Sequence, residues 1–271
     1  MRGLLRSEAA AYVLLVRVAF REAAQYRTSL ALRSATEAAA TVLDLAAIGI
    51  VFAHLPALEG FSLAEVAFLY GTSALSFALA EAFVGPVDRI GWHINDGRFD
   101  VVLVRPVSVL VQATTMAFSP QRVARVVQPT VIVVVSCLTV HAHWTPDRVL
   151  LVPAMVLCGA VLAASAFVGT AAVLFVAPDA TVAVAASTQS SALAARYPMT
   201  IYGHHLGLLL TVVAPIGFVS WLPALHVLSR PDPFGLPTVF RFASPVVAAA
   251  TAGLAALAWR TGVRHYRSTG S

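Results

Sequence analysis

Long apolar blocks, separated by short polar stretches, set the plan of this chain. They approach the ~20 residues needed to cross the hydrocarbon core of a bilayer. Six such blocks run over about Ser34–Ala53, Leu63–Val84, Val126–Val140, Val149–Val176, Leu206–Leu222 and Pro245–Trp259. The pattern predicts an all-α integral membrane protein with six transmembrane helices in a single domain over residues 1–271. Ser62-Leu63-Ala64-Glu65 opens the second block and fits a capping box, with Ser62 as the cap and Glu65 reaching back to its amide. Thr72, Ser73 and Ser76 then form a mildly polar strip along the same helix. Small hydroxyl residues in a span serve helix packing or line a transport path.

Ahead of the first block, residues 8–26 place Tyr12, Leu15, Val16, Ala19 and Phe20 against a polar side of Arg17, Arg21 and Glu22. This spacing predicts an N-terminal amphipathic helix lying in the membrane interface rather than a frayed tail. Arg17 and Arg21 interrupt the short apolar run Ala9–Val16 and no cleavage site follows, so no signal peptide is expected. After the fifth block come Pro223, Pro231, Pro233 and Pro237 with Trp221 and Phe234. Prolines stop helices and aromatic residues favour the interface, so residues 223–242 are expected to form a re-entrant or surface segment on the outer face.

Composition agrees with the block pattern. The chain is 59% hydrophobic and 11% charged, where a soluble domain carries about 25% charge. All 18 of its basic residues are arginine. Without lysine there is neither a Walker A loop nor a Schiff base, so any nucleotide drive must come from another chain. Cys137 and Cys158 fall in apolar blocks, where buried thiols are expected rather than a disulfide. The net charge of +5 reflects loop arginines, not nucleic-acid binding. If both termini share one side, fifteen arginines, Arg196 included, join them there, and three, Arg148, Arg230 and Arg241, lie opposite. Positive residues mark the cytoplasmic side, which predicts N-in/C-in.

The densest charge lies between the second and third blocks. Over residues 86–106 the chain reads Asp88-Arg89, Trp92, Asp96-Gly97-Arg98-Phe99-Asp100, then Arg105-Pro106. A loop this charged stays in water on the cytoplasmic side. Its Trp92 and Phe99 among arginines point to a contact surface rather than a plain solvated connector. Glu37 and Asp44, seven apart, share a face of the first helix. Asp44 falls near mid-membrane, where a carboxylate either lines a wet path, pairs with an arginine or is protonated in a packing interface. His141 with His143 and His204 with His205 lack ligand spacing and companions, so no metal site is expected. No HExxH or GxSxG motif occurs, and no acid, base and nucleophile set assembles.

Several stretches together resemble the permease subunits of ABC-2 type transporters, in particular a six-helix subfamily long catalogued as a domain of unknown function. They are Gln25-Tyr26-Arg27, Gly60-Phe61-Ser62-Leu63-Ala64-Glu65, Phe68-Leu69-Tyr70-Gly71, Gly97 to Pro106, Arg196 to Tyr202, and Pro215 to Pro223. Gly97, Asp100, Leu103, Arg105 and Pro106 match that subfamily's Gly-x-x-Asp-x-x-Leu-x-Arg-Pro signature. His204-His205 and the Pro-rich outer loop depart from it. The resemblance implies two permease chains, identical or homologous, bound to two copies of a separate ABC ATPase that holds ATP and Mg. It implies export across a bacterial cytoplasmic membrane, with the Asp88–Pro106 loop as coupling region and spans two and five lining the path. It gives this chain no cofactor. Two other classes stand beside it: a proton-coupled secondary transporter using Asp44 and Glu37, and a membrane-embedded enzyme, for which no catalytic set is present.

Overall fold

The computed structural model describes residues 12, 27–55, 57–97, 99–115, 122 and 124–266. Every named element among them is helical, and the β-bridge between Leu58 and Phe61 stands outside any strand. In chain order the α-helices are α1 (Arg27–His54), α2 (Leu63–Phe83), α3 (Ile90–Asn95), α4 (Phe99–Leu103) and α5 (Val109–Thr115). Then follow α6 (Val127–Thr139), α7 (Pro146–Ala171), α8 (Thr181–Ala194), α9 (His204–Val212), α10 (Trp221–Val227) and α11 (Ser244–His265). The interfacial helix expected over residues 8–26 lies outside the described residues except for Tyr12, whose hydroxyl donates to the Phe83 carbonyl at 3.3 Å.

Among the described residues, three helices are long and apolar enough to cross a bilayer: Leu63–Phe83, Pro146–Phe175 and Ser244–His265. The expected capping box is formed: Glu65 N–H donates to Ser62 Oγ at 3.4 Å, and Ser62 N–H donates to Glu65 Oε2 at 2.8 Å. Helix α6 has 13 residues, so at 1.5 Å per residue it is about 20 Å long and does not span the core by itself.

The fifth expected span, over 206–222, is not one helix. It is α9 followed by Ile216–Val227, with a bend of 71° between them. Pro215, which has no N–H to donate, sits at the break. Pro223, where a re-entrant or surface segment is expected to begin, is buried within α10 beside Trp221 and Leu222. Only from Leu228 onward does the chain turn irregular, with Ser229 and Gly235 at positive φ and both Asp232 oxygens accepting N–H groups, from Phe234 and Leu236.

Helix α8 is not among the expected spans because Ser187, Thr188, Gln189, Ser190 and Ser191 lower its hydropathy. Its hydroxyls nonetheless donate to carbonyls of the same helix, for example Ser190 Oγ to Ala186 at 2.8 Å and Ser191 Oγ to Ser187 at 2.9 Å. A hydroxyl satisfied this way does not need water, so such a helix tolerates an apolar setting.

Helix α2 is wedged between α6 and α7. Gly71 lets Ile132 and Val133 approach to 3.0 and 3.1 Å of where its Cβ would be, and Gly159 does the same for Ser76 and the Val219 carbonyl. Small residues at such crossings bring backbones close, which supplies the dispersion energy that holds helices together in lipid. Around Trp221, Tyr70, Phe68 and Leu222 a first core forms, and a second gathers Ile90, Ile94, Phe99, Leu174, Phe175 and Trp259 at the charged-loop end.

Candidate functional site

Two features of the described residues carry chemistry. The first is the charged loop. It folds as a 3₁₀ turn over Gly85–Arg89, then α3 and α4, and returns through residues 104–108 to α5. Gly97, at φ 68°, takes the left-handed conformation that breaks α3 from α4. Gly91 faces the Thr181 hydroxyl and the Pro178 carbonyl so closely that no Cβ fits, which presses α3 onto the base of α8. Gln112 donates from Nε2 to the Val102 and Val107 carbonyls at 3.0 and 2.8 Å, holding the return against α5.

The two aromatic residues of this loop part company. Trp92 is 54% exposed, with the Arg89 guanidinium 5.9 Å from its ring centre. Phe99 is 1% exposed and is not a surface contact residue. Its ring meets Phe175 at 5.4 Å and Tyr266 at 4.7 Å, and Phe175 meets Trp259 at 5.0 Å. Asp100 accepts a hydrogen bond from Tyr266 Oη at 3.0 Å, so it braces the loop to the end of α11. Trp92, Val101, Leu103 and Val104 leave apolar surface exposed beside Arg89, Asp96, Arg105 and Pro106, which are also exposed. Arg98 and the side chain of Asp88 lie outside the described residues. Sequence reasoning missed Tyr266, Phe175 and Trp259, which are distant in the chain; an aromatic at the end of each neighbouring helix was their one signal.

The second feature is a polar cleft of about 170 Å³ between α2, α6 and α8. Tyr70 and Glu81 of α2, Arg125 and Gln128 at the start of α6, and Gln189 and Arg196 of α8 and its end line it. Arg125 Nη1 lies 2.9 Å from Glu81 Oε2, and the Arg196 guanidinium lies 5.1 Å from the Tyr70 ring centre. Tyr70 is seven residues into α2, about 10 Å from its start and 20 Å from its end. Arg196 is therefore carried by α8 away from the charged-loop end, although the arginine count placed it there. Glu81 and Arg125 lie at the charged-loop end of the same cleft, in the last turn of α2 and at the start of α6.

The hydroxyl strip on α2 does not line this cleft. Thr72, Ser73 and Ser76 are buried at 0% exposure. Thr72 Oγ1 donates to Phe68, Ser73 Oγ to Tyr70, and Ser76 Oγ to both Thr72 and Val156, the last at 3.1 Å across to α7. They pack helices. Glu37 and Asp44 sit two turns apart on α1, and their side chains lie outside the described residues. Among the described residues no three His, Cys, Asp or Glu come together, and Cys137 and Cys158 are half-buried free thiols.

A helical bundle with several bilayer-length apolar helices is a multi-pass membrane protein. The sequence model of a family described as "ABC-2 family transporter protein" matches residues 38–270, and the chain belongs to that family, the permeases of ABC-2 type transporters. Members are transport components that do no catalysis themselves and work with an ABC ATPase. No curated protein and no solved structure matches the chain.

Proposed function

We propose that this chain is the membrane-spanning half of an ATP-driven exporter of an amphipathic compound, set in a bacterial cytoplasmic membrane. Two such chains, identical or homologous, pair with two copies of a separate ATPase that holds ATP and Mg. The reading rests on one observation above the others: the 89–106 surface. It is exposed, apolar at Trp92 and Val104, charged at Arg89, Asp96 and Arg105, and backed by the buried Phe99. Arg and aromatic groups on a rigid backing are what a protein partner grips. Behind them Phe99, Phe175, Trp259 and Tyr266 run into α7 and α11, so a push on the loop moves whole helices as a rigid body. Family membership and this geometry favour ATP coupling over proton coupling through Asp44 and Glu37.

In this reading the crossings are α1, α2, α6 together with the residues leading into it, α7, α8 and α11. Helices α9 and α10 then dip in and return on the outer side. That both ends of the pair lie together supports it: His204 packs on Phe234, seven residues beyond the end of α10. The termini are cytoplasmic, and the cleft between α2 and α8 receives the polar part of the cargo. The test is co-purification of the ATPase with Trp92→Ala and Arg105→Ala at matched membrane abundance, with transport measured in parallel. Loss of both supports the docking surface, and wild-type behaviour of both variants removes it.

A further inference from the structure

A second cavity, of about 300 Å³, lies on the other side of Phe77 from the polar cleft, under the bend between α9 and α10. We infer that it seats one acyl chain of a bilayer phospholipid.

Its walls come from α2, α7, α8 and α11, and Pro215 forms its roof. Small residues hollow it: Ala163, Ala166 and Gly169 on α7 and Ala255 on α11. Among the described residues no charged side chain lines it. The hydroxyls that do are already engaged: Ser165 Oγ donates to Val161 at 2.6 Å, Ser191 Oγ to Ser187 at 2.9 Å, and Thr251 Oγ1 to Val247 at 2.9 Å. A water there needs two to four polar partners and finds no such set, and a headgroup finds none either. An alkyl chain needs only contact, and gains it from every wall.

The mouth also selects a chain. Leu254 of α11, which lines it, is 66% exposed, and Ala166 of α7 and Ala214 at the bend are exposed too. In a membrane that opening meets hydrocarbon. A helix of a second copy is about 10–12 Å across and does not enter a hollow of this volume, whereas a single acyl chain does. Once seated it touches both sides of the bend, so it wedges α9 and α10 against α7 and α11. The inference depends on the chain crossing the membrane, not on export or on the ATPase.

Vesicles of phosphatidylethanolamine and phosphatidylglycerol, doped with a phosphatidylcholine carrying a mid-chain diazirine, test it. After reconstitution of the full chain and illumination, label should concentrate on peptides covering 162–169, 214–219 and 251–258, several-fold above the lipid-facing Leu138 and Val246. Ala255→Phe, and the milder Ala166→Leu, should remove that label and leave labelling at Leu138 intact, which also reports correct insertion. Cavity label no higher than at Leu138, or indifferent to both substitutions, overturns the inference. So does label from a diazirine fatty acid but not from the phospholipid, which would assign the site to a free amphiphile. Loss of the label when two copies are cross-linked would give the face to a second chain and overturn it equally.

Discussion

The two ends of this bundle each have an aromatic core but differ in what is added to it. At the charged-loop end Ile90, Ile94, Phe99, Leu174, Phe175 and Trp259 form an apolar, aromatic knot. The opposite end has an aromatic core of its own around Phe61, Trp221 and Phe234, and charged pairs are added to it at the surface. Arg230 grips Glu65 through Nε and Nη2 at 2.8 and 2.9 Å, His226 meets Asp147 at 3.0 Å, and Arg148 donates to the His143 carbonyl at 3.0 Å. The Arg230 guanidinium also lies 5.4 Å from the Phe61 ring centre. Dispersion is short-ranged and insensitive to salt, so an aromatic knot passes displacement without slack. An ion pair at a wet surface is screened and exchangeable. Under the proposed function the charged-loop end would pass a push, while the ion pairs at the other end fasten residues 228–237 to the bundle.

The largest effect should come from Phe99→Ala. Removing a fully buried aromatic costs about 3–5 kcal/mol, and here it opens the knot between α4, α7 and α11. Thermal unfolding in detergent should drop, and the loss should persist at high salt. A loss that salt abolishes would mean that this end is electrostatic.

Glu65→Ala comes next. It leaves Arg230 without its bidentate partner, and Arg230 is partly exposed, so about 1–2 kcal/mol is expected rather than the full value for a buried pair. Proteolysis of residues 228–237 should speed up in Glu65→Ala, and in the native chain it should speed up with added salt. A cleavage rate that ignores salt would break the comparison.

Trp92→Ala and Arg105→Ala should each weaken ATPase association by about 1–2 kcal/mol, around ten-fold, with no change in unfolding temperature. That separation between docking and stability is the readout, because Phe99→Ala disturbs both. Tyr266→Phe should have the smallest effect, about 0.5–1.5 kcal/mol, from the lost hydrogen bond to Asp100. If Tyr266→Phe matches Phe99→Ala, the Asp100 contact and not the aromatic stack is the main brace.

Much of the helical plan is legible in the chain. The second block and its cap, Ser62 to Glu65, match α2 to within a residue, because a capping box and an apolar run are local signals. The family resemblance, drawn from several stretches with Gly97 to Pro106 among them, is borne out by the family match over 38–270. Helix α8 is illegible because hydropathy scores its hydroxyls as if they faced water, while they bond to their own helix. The bend at Pro215 is hidden for the opposite reason: hydropathy is continuous across it, and the break lies in one missing N–H.

What the sequence alone determined is therefore what depends on near neighbours: an all-helical membrane chain, the cap at Ser62, its arginine-rich loop and its family. What only the tertiary structure decided depends on residues far apart in the chain. It buried Phe99 and exposed Trp92, although seven residues and similar chemistry separate them, because Phe175, Trp259 and Tyr266 converge on one and not on the other. It turned Thr72, Ser73 and Ser76 from path candidates into packing residues, and brought Tyr70, Arg125 and Arg196 to one cleft. Side-chain periodicity fixes which residues share a helix face, but the face's surroundings come from helices that no local pattern can orient.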